Sequence, residues 1–114
     1  GINVGIASWW GPNGQNSSKT DYRFPLLLRE AKLRNFNWAI YYEKGQLTTD
    51  PVAIASDLAY IKANYATDPN YLKIGGRPVI FVYSTALPAT ACDLTNAWRT
   101  ANQDPAVGNG SPQR

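Results

Sequence analysis

The residues of this chain that could do chemistry are few, and one is singled out by its position. Glu43 closes the stretch Asn37-Trp38-Ala39-Ile40-Tyr41-Tyr42-Glu43-Lys44-Gly45, an apolar run that ends in two tyrosines, a carboxylate, a lysine and a glycine. The only other glutamate is Glu30. With no histidine in the chain, Ser-His-Asp and Cys-His nucleophile systems are excluded, leaving carboxylates, tyrosines and lysines for acid–base work near neutral pH. The lone cysteine, Cys92, has no internal disulfide partner, and no zinc site of the usual Cys/His kind can be assembled. No metal and no cofactor are expected.

The element that must position Glu43 reads as a buried strand delivering a polar tip. It is rich in aromatic and β-branched residues, stopped by glycine and too short for an ordinary helix. Where helices surround a sheet, the carboxyl ends of the strands are where ligands bind and chemistry is done.

Strand and helix signals alternate along the rest of the chain. Ile2, Val4 and Ile6 alternate with Asn3, Gly5 and Ala7 in a first strand that runs to Trp10. If the aliphatic residues pack against helices, the small face lines the sheet interior and Trp9 lies on that inner side. Gly11-Pro12-Asn13-Gly14 breaks this strand, and a polar loop through Ser17, Ser18 and Lys19 follows. A helix is predicted from Thr20 or Asp21 to near Asn35, with Pro25 in its first turn and Phe24, Leu27, Leu28 and Ala31 at helical spacing. After the loop of Gln46 to Thr49, Asp50-Pro51 starts a second helix to about Ala66, with Ile54, Leu58, Ile61 and Tyr65 on one face. Asp68-Pro69-Asn70-Tyr71 opens a turn that Gly75-Gly76 ends, and a third strand is predicted over Pro78 to Ser84. Its continuous apolar run suggests a parallel strand covered on both faces. A last helix spans about Ala89 to Gln103, and residues 104–114 read as an irregular tail.

Three strand–helix units in succession are the pattern of parallel, right-handed βαβ connections. The fold class is therefore α/β, in a single partial domain over residues 1–114. Two architectures fit: a small doubly wound sheet, or three units of a (β/α)₈ barrel, which needs about 250 residues when whole. A composition of 44 % apolar and 17 % charged residues excludes a disordered chain. The eleven Lys and Arg are spread without a run, so neither a nucleic-acid stripe nor a membrane-binding face is expected. No stretch reaches the ~20 apolar residues of a membrane span, and the N-terminus lacks the pattern of a signal peptide. The absence of any methionine is read as the mark of a piece processed or excised from something longer.

Three segments together resemble a known group of glycosidases. Ala7-Ser8-Trp9-Trp10-Gly11-Pro12, Trp38-Ala39-Ile40-Tyr41-Tyr42-Glu43 and Gly75-Gly76-Arg77-Pro78-Val79-Ile80-Phe81-Val82-Tyr83 are similar, in order and spacing, to glycoside hydrolase families 99 and 71. These families include the endo-α-mannosidases. The helix core Asp57-Leu58-Ala59-Tyr60-Ile61 and the Asp68-Pro69-Asn70-Tyr71 turn are similar too, so the resemblance covers most of residues 2 to 84. It implies a TIM-type (β/α)₈ barrel with a glycan cleft at the strand carboxyl ends, the remainder of the barrel C-terminal to this chain, and an extracytoplasmic or secreted location. In those families the catalytic glutamates lie in a late segment resembling Trp-Asn-Glu-Trp-x-x-Glu. No such segment occurs here, so no catalytic residue is carried over, and the chain is expected to form a wall of the cleft without its chemistry. It also departs from the families at Lys44-Gly45-Gln46, where proline, tyrosine and a nearby arginine are common, and at Ser84, where aspartate is common.

The expected glycan contacts are Trp9, Tyr41, Glu43 and Tyr83. Glu43 could bind sugar or stabilise charge, or be a solvated glutamate paired with Lys44. Alternation along the strands assigns Trp9 to the cleft and Trp10 to packing, and pairs Tyr41 with Glu43 on one side against Tyr42 on the other. Tyr83 could offer its hydroxyl to a ligand or be a rim tyrosine with a satisfied hydroxyl. Glu30 is expected on a helix surface, Trp38 and Trp98 in the core, and Cys92 as a small apolar residue of the last helix. Asn16-Ser17-Ser18 matches the glycosylation acceptor pattern. A competing reading is a non-catalytic α/β module, sugar-binding or structural.

Overall fold

Three strand–helix units follow one another, and their strands pair in chain order. Strand β1 (Val4–Trp9) leads through a 3₁₀ turn (Asp21–Arg23) into helix α1 (Phe24–Ala31), and β2 (Asn37–Tyr42) into α2 (Pro51–Asn64). The third unit holds a small hairpin, β3 (Lys73–Ile74) and β4 (Arg77–Pro78), then β5 (Ile80–Val82) and α3 (Pro88–Asn102). The computed structural model describes residues 1–12, 20–44, 50–83 and 88–104 of the 114. Asn13 and Gly14, the predicted polar loop through Ser17, Ser18 and Lys19 with the Asn16-Ser17-Ser18 acceptor pattern, Gly45, the predicted loop of Gln46 to Thr49, Ser84 and residues 105–114 lie outside the described part.

Strands β1, β2 and β5 form a parallel sheet in the order β1-β2-β5, so the chain is α/β with strand–helix units in sequence, the pattern for which right-handed crossovers are the rule. Helix α2 starts where the sequence places it: Asp50 accepts the Val52 N–H at 3.0 Å and Pro51 occupies the first helical position. Thr20 and Asp21, by contrast, do not cap the segment that follows them. The Thr20 hydroxyl accepts the Trp10 backbone N–H at 3.0 Å, while the Asp21 carboxylate is occupied by aromatic donors. Helix α1 stops at Ala31, short of the expected Asn35, and turns lead to Asn35 at φ 50°, a left-handed conformation that asparagine tolerates.

The third strand is shorter than the sequence suggests. Gly75 and Gly76, at φ 59° and 78°, turn a hairpin that pairs Lys73 with Pro78 and Ile74 with Arg77. This hairpin is an excursion from a single strand position. Trp38 donates to Asn70 O (2.9 Å) and accepts from Leu72 N (2.8 Å) before the excursion; Ile80 to Val82 take over the pairing with β2 after it. Tyr71 spans the break: its hydroxyl accepts from Ile40 N at 3.3 Å and donates to Val79 O at 2.8 Å. The expectation of a strand covered on both faces is corrected, since Phe81 is 41 % and Val82 36 % exposed in a short strand that has no described neighbour on its outer edge.

The two faces of the sheet are unequal. The cluster of Trp9, Ile40 and Tyr42 with Phe24 and Leu28 of α1, Ile54, Leu58 and Ile61 of α2 and Ala97 and Ala101 of α3 lies on one side only. Ala7, Trp38 and Ile80 join it from the same face. On the opposite face Val4 and Ile6 are exposed, as is Ile2 before the strand. This reverses the expectation that Ile2, Val4 and Ile6 pack against helices. Register explains why: Gly5 lies beside Trp38, and a β-carbon on it would stand 2.5 Å from the Trp38 ring. The small side of β1 is the packed side because its neighbour's large rings fill the space.

Gly5→Ala should therefore destabilise the fold by about 2 kcal/mol through overpacking. Urea unfolding measures this directly, and an unchanged midpoint would contradict the packed role of Gly5.

Candidate functional site

On the uncovered face, at the carboxyl edge, a polar cluster forms from β1 and β2. The Ser8 hydroxyl donates to the Glu43 carboxylate and accepts the Trp10 indole N–H at 3.1 Å. Glu43 is held in place because its backbone N–H continues the β1–β2 ladder, donating to Trp9 O at 3.0 Å. Parallel pairing brings Ser8 level with Tyr41, so alternation puts Ser8, Trp10, Tyr41 and Glu43 on one side. Tyr83, just past β5, meets Tyr41 edge to face with ring centroids 5.9 Å apart. Glu43, Tyr41, Tyr83 and Trp10 are all partly exposed, so a carboxylate and three aromatic groups share an open surface.

Behind the sheet, two carboxylates secure this edge to the helices. Asp57, on the buried face of α2 and only 4 % exposed, accepts the Tyr42 hydroxyl at 2.6 Å and pairs with the Lys44 ammonium at 3.1 Å. Asp21 collects the Trp9 indole N–H at 2.8 Å, the Tyr60 hydroxyl at 2.7 Å and the Tyr65 hydroxyl at 2.5 Å. The end of β1, the 3₁₀ turn that leads into α1 and the end of α2 thus meet at one carboxylate. Trp9 also stacks on Tyr60, and Tyr42 meets the Trp98 ring edge-on at 4.9 Å.

These contacts hold the phenols neutral. Burial, reinforced by the hydrogen bond and the charge of Asp57, pushes Tyr42 far above the ordinary phenol range. Burial and then the Asp21 hydrogen bond do the same to Tyr65, whereas for Tyr60 the Asp21 hydrogen bond is the main cause. Tyr71 is pushed up to about 12 by burial, against the lowering effect of the Ile40 N–H.

The four predicted contact residues do not come together as a set. Tyr41, Glu43 and Tyr83 share the open face, with Tyr42 on the other side as alternation requires. Trp9 is corrected: it is 0 % exposed, packed among the helices with its indole N–H committed to Asp21, and has no surface to offer a ligand. Trp10 takes the open position instead. Adjacent residues do face opposite ways; the sign was set by the packed small face of β1. Lys44 pairs with Asp57, not with Glu43. Glu30 is exposed on α1, and Cys92 is exposed on α3. Trp38 and Trp98 are half-buried against the core.

No family model, curated protein or solved structure matches this chain. Among the described residues no helix is long and apolar enough to cross a membrane, and no three potential ligands gather for a metal. What the open edge can do is accept hydroxyl hydrogen bonds at a carboxylate and present ring faces.

Sequence reasoning missed Ser8, Trp10, Asp21 and Asp57. Asp57 had a visible signal, because it falls within the apolar stripe of Ile54, Leu58 and Ile61, where an unpartnered carboxylate would be costly. Asp21 had none, since its position is that of an ordinary helix cap.

Phenols with raised folded pKa values contribute stability that is intact below the unfolded value near pH 10 and is lost as pH rises through the folded values. Thermal stability should fall steeply from about pH 10 towards and beyond the Tyr71 value of about 12. Part of the phenolate absorbance should develop only as circular dichroism reports unfolding. Full phenolate absorbance in a still-folded chain would contradict these contacts.

Proposed function

We propose that this chain is part of a (β/α)₈ barrel of the glycoside hydrolase 99/71 type and supplies one wall of its glycan cleft, for substrates of the α-mannoside class. The observation that carries the reading is the grouping of Glu43, Ser8, Trp10, Tyr41 and Tyr83 at the carboxyl edge of an uncovered sheet face. Successive barrel units pair their strands in order and keep every helix outside, which agrees with the order β1-β2-β5 and the one-sided core. In such a barrel the uncovered face, with Val4, Ile6 and Phe81, is the interior, and the carboxyl edge opens on the cleft.

The grouping suits a sugar. A carboxylate accepts hydroxyl hydrogen bonds strongly, and flat apolar sugar faces match aromatic rings. It does not suit hydrolysis by itself, because glycosidases use two carboxyl groups flanking the scissile bond and this cluster contains one. The catalytic pair belongs to later strands of the barrel, and Glu43 holds substrate for it. The same single carboxylate also favours a second reading, a non-catalytic sugar-binding module.

The test is Glu43→Gln in the full natural gene product, titrated with a panel of α-manno-oligosaccharides. Loss of a charge-assisted hydrogen bond costs about 2 kcal/mol, so the Kd should rise roughly thirtyfold. Equal affinity for both proteins, or no saturable binding by the wild type across the panel, would overturn the proposal.

A further inference from the structure

Asp57 poses a question that stability does not answer. A carboxylate buried in the apolar face of α2 is expensive, and in other proteins a well-packed apolar residue in place of a buried ion pair often leaves the fold as stable or more so. Its two partners, Tyr42 and Lys44, come from the same strand end, one on each side of Glu43 in sequence. Tyr42 is fully buried, so its hydroxyl fixes the carboxylate. Lys44 is only partly buried, and its ammonium crosses to the helix side to reach Asp57. Its path runs over Gly11, itself buried, where a β-carbon would stand 3.1 Å from Lys44 Cδ and 3.4 Å from Nζ. Gly11 sits at φ 92°, so the bare backbone that lets Lys44 pass is also one that other residues rarely adopt.

We propose that Lys44 is a positioning residue for Glu43. The buried carboxylate of Asp57 draws the Lys44 ammonium behind the sheet, and with Tyr42 anchored to the same carboxylate both neighbours of Glu43 are tied to the helix side. Glu43 is thereby left on the open side, where Ser8 and, through it, the Trp10 indole are its partners. Asp57 acts at one remove, by holding Lys44. What this does for a ligand rests on the glycan reading above; the positioning itself does not.

The two indoles at the end of β1 provide the readout, because Trp10 reports on Ser8 and Glu43 while Trp9 reports on Asp21. In Lys44→Met, the Trp10 indole N–H resonance should shift and exchange faster with solvent, and the Trp9 resonance should keep its position. Lys44→Arg, which restores a cation of similar reach, should return Trp10 towards its wild-type shift. In a Glu43→Gln background, Lys44→Met should move Trp10 little further. Should the methionine variant not fold, Lys44→Gln carries the same comparison. A folded variant whose Trp10 resonance does not move, or one in which Trp9 and Trp10 move alike as in general loosening, overturns the proposal. The readout needs no sugar. If the indoles behave as described and wild type binds no α-manno-oligosaccharide, positioning stands and the glycan reading falls. If both stand, Lys44→Met weakens α-mannoside binding about tenfold.

Discussion

A sheet whose parallel strands pair in chain order can place its right-handed crossovers on one face only, and this constraint governs the rest of the molecule. It makes one side of β1, β2 and β5 a floor for three helices and leaves the other side bare. Trp9 and Tyr42, paired across the first two strands, become core, while Ser8, Tyr41 and Glu43 become surface. The candidate site is the carboxyl edge of the side that the helices cannot reach.

One-sided packing puts the polar atoms of large aromatic residues inside, where most find a hydrogen-bond partner; among the described residues Trp98 Nε1 is buried without one. Two aspartates do most of this work. Asp21 takes three donors, from β1, α2 and the residue that ends α2, and Asp57 takes the phenol of Tyr42 at the end of β2 and the ammonium of Lys44 just beyond it. Tyr71 solves a related problem in the sheet, its hydroxyl bridging Ile40 and Val79 where the β3–β4 excursion interrupts strand pairing. Each device ties a strand to its surroundings near the place where regular pairing ends. Rigidity at the carboxyl edge is thus supplied from behind, leaving the exposed carboxylate of Glu43 free of structural duty apart from its contact with Ser8.

Much of this was legible in the chain itself. Asp50-Pro51 marked the start of α2, the spacing of Ile54, Leu58, Ile61 and Tyr65 gave its buried face, and the alternation around Tyr41, Tyr42 and Glu43 gave their sides. What failed was the choice of face for β1. Alternation tells which residues share a side but not which side meets the helices, and Ile2, Val4 and Ile6 made the wrong one attractive. The deciding fact, that the rings of β2 fill the space beside Gly5, is a property of register between strands far apart in sequence. Trp9 and Trp10 exchanged roles for that reason alone. The hairpin at Gly75-Gly76 was hidden differently: two residues on each side are too few to show a strand period.

The central claim is that ligand chemistry lies on the uncovered face and not among the helices. Chemical-shift mapping with an α-manno-oligosaccharide tests it most directly, since the two faces carry separate reporters. The account predicts saturable shifts at the Trp10 indole and at Ser8, Tyr41, Glu43 and Tyr83, with the Trp9 indole unmoved. Shifts centred on Trp9, Tyr60 and Tyr65, or none at any of these residues, would contradict it.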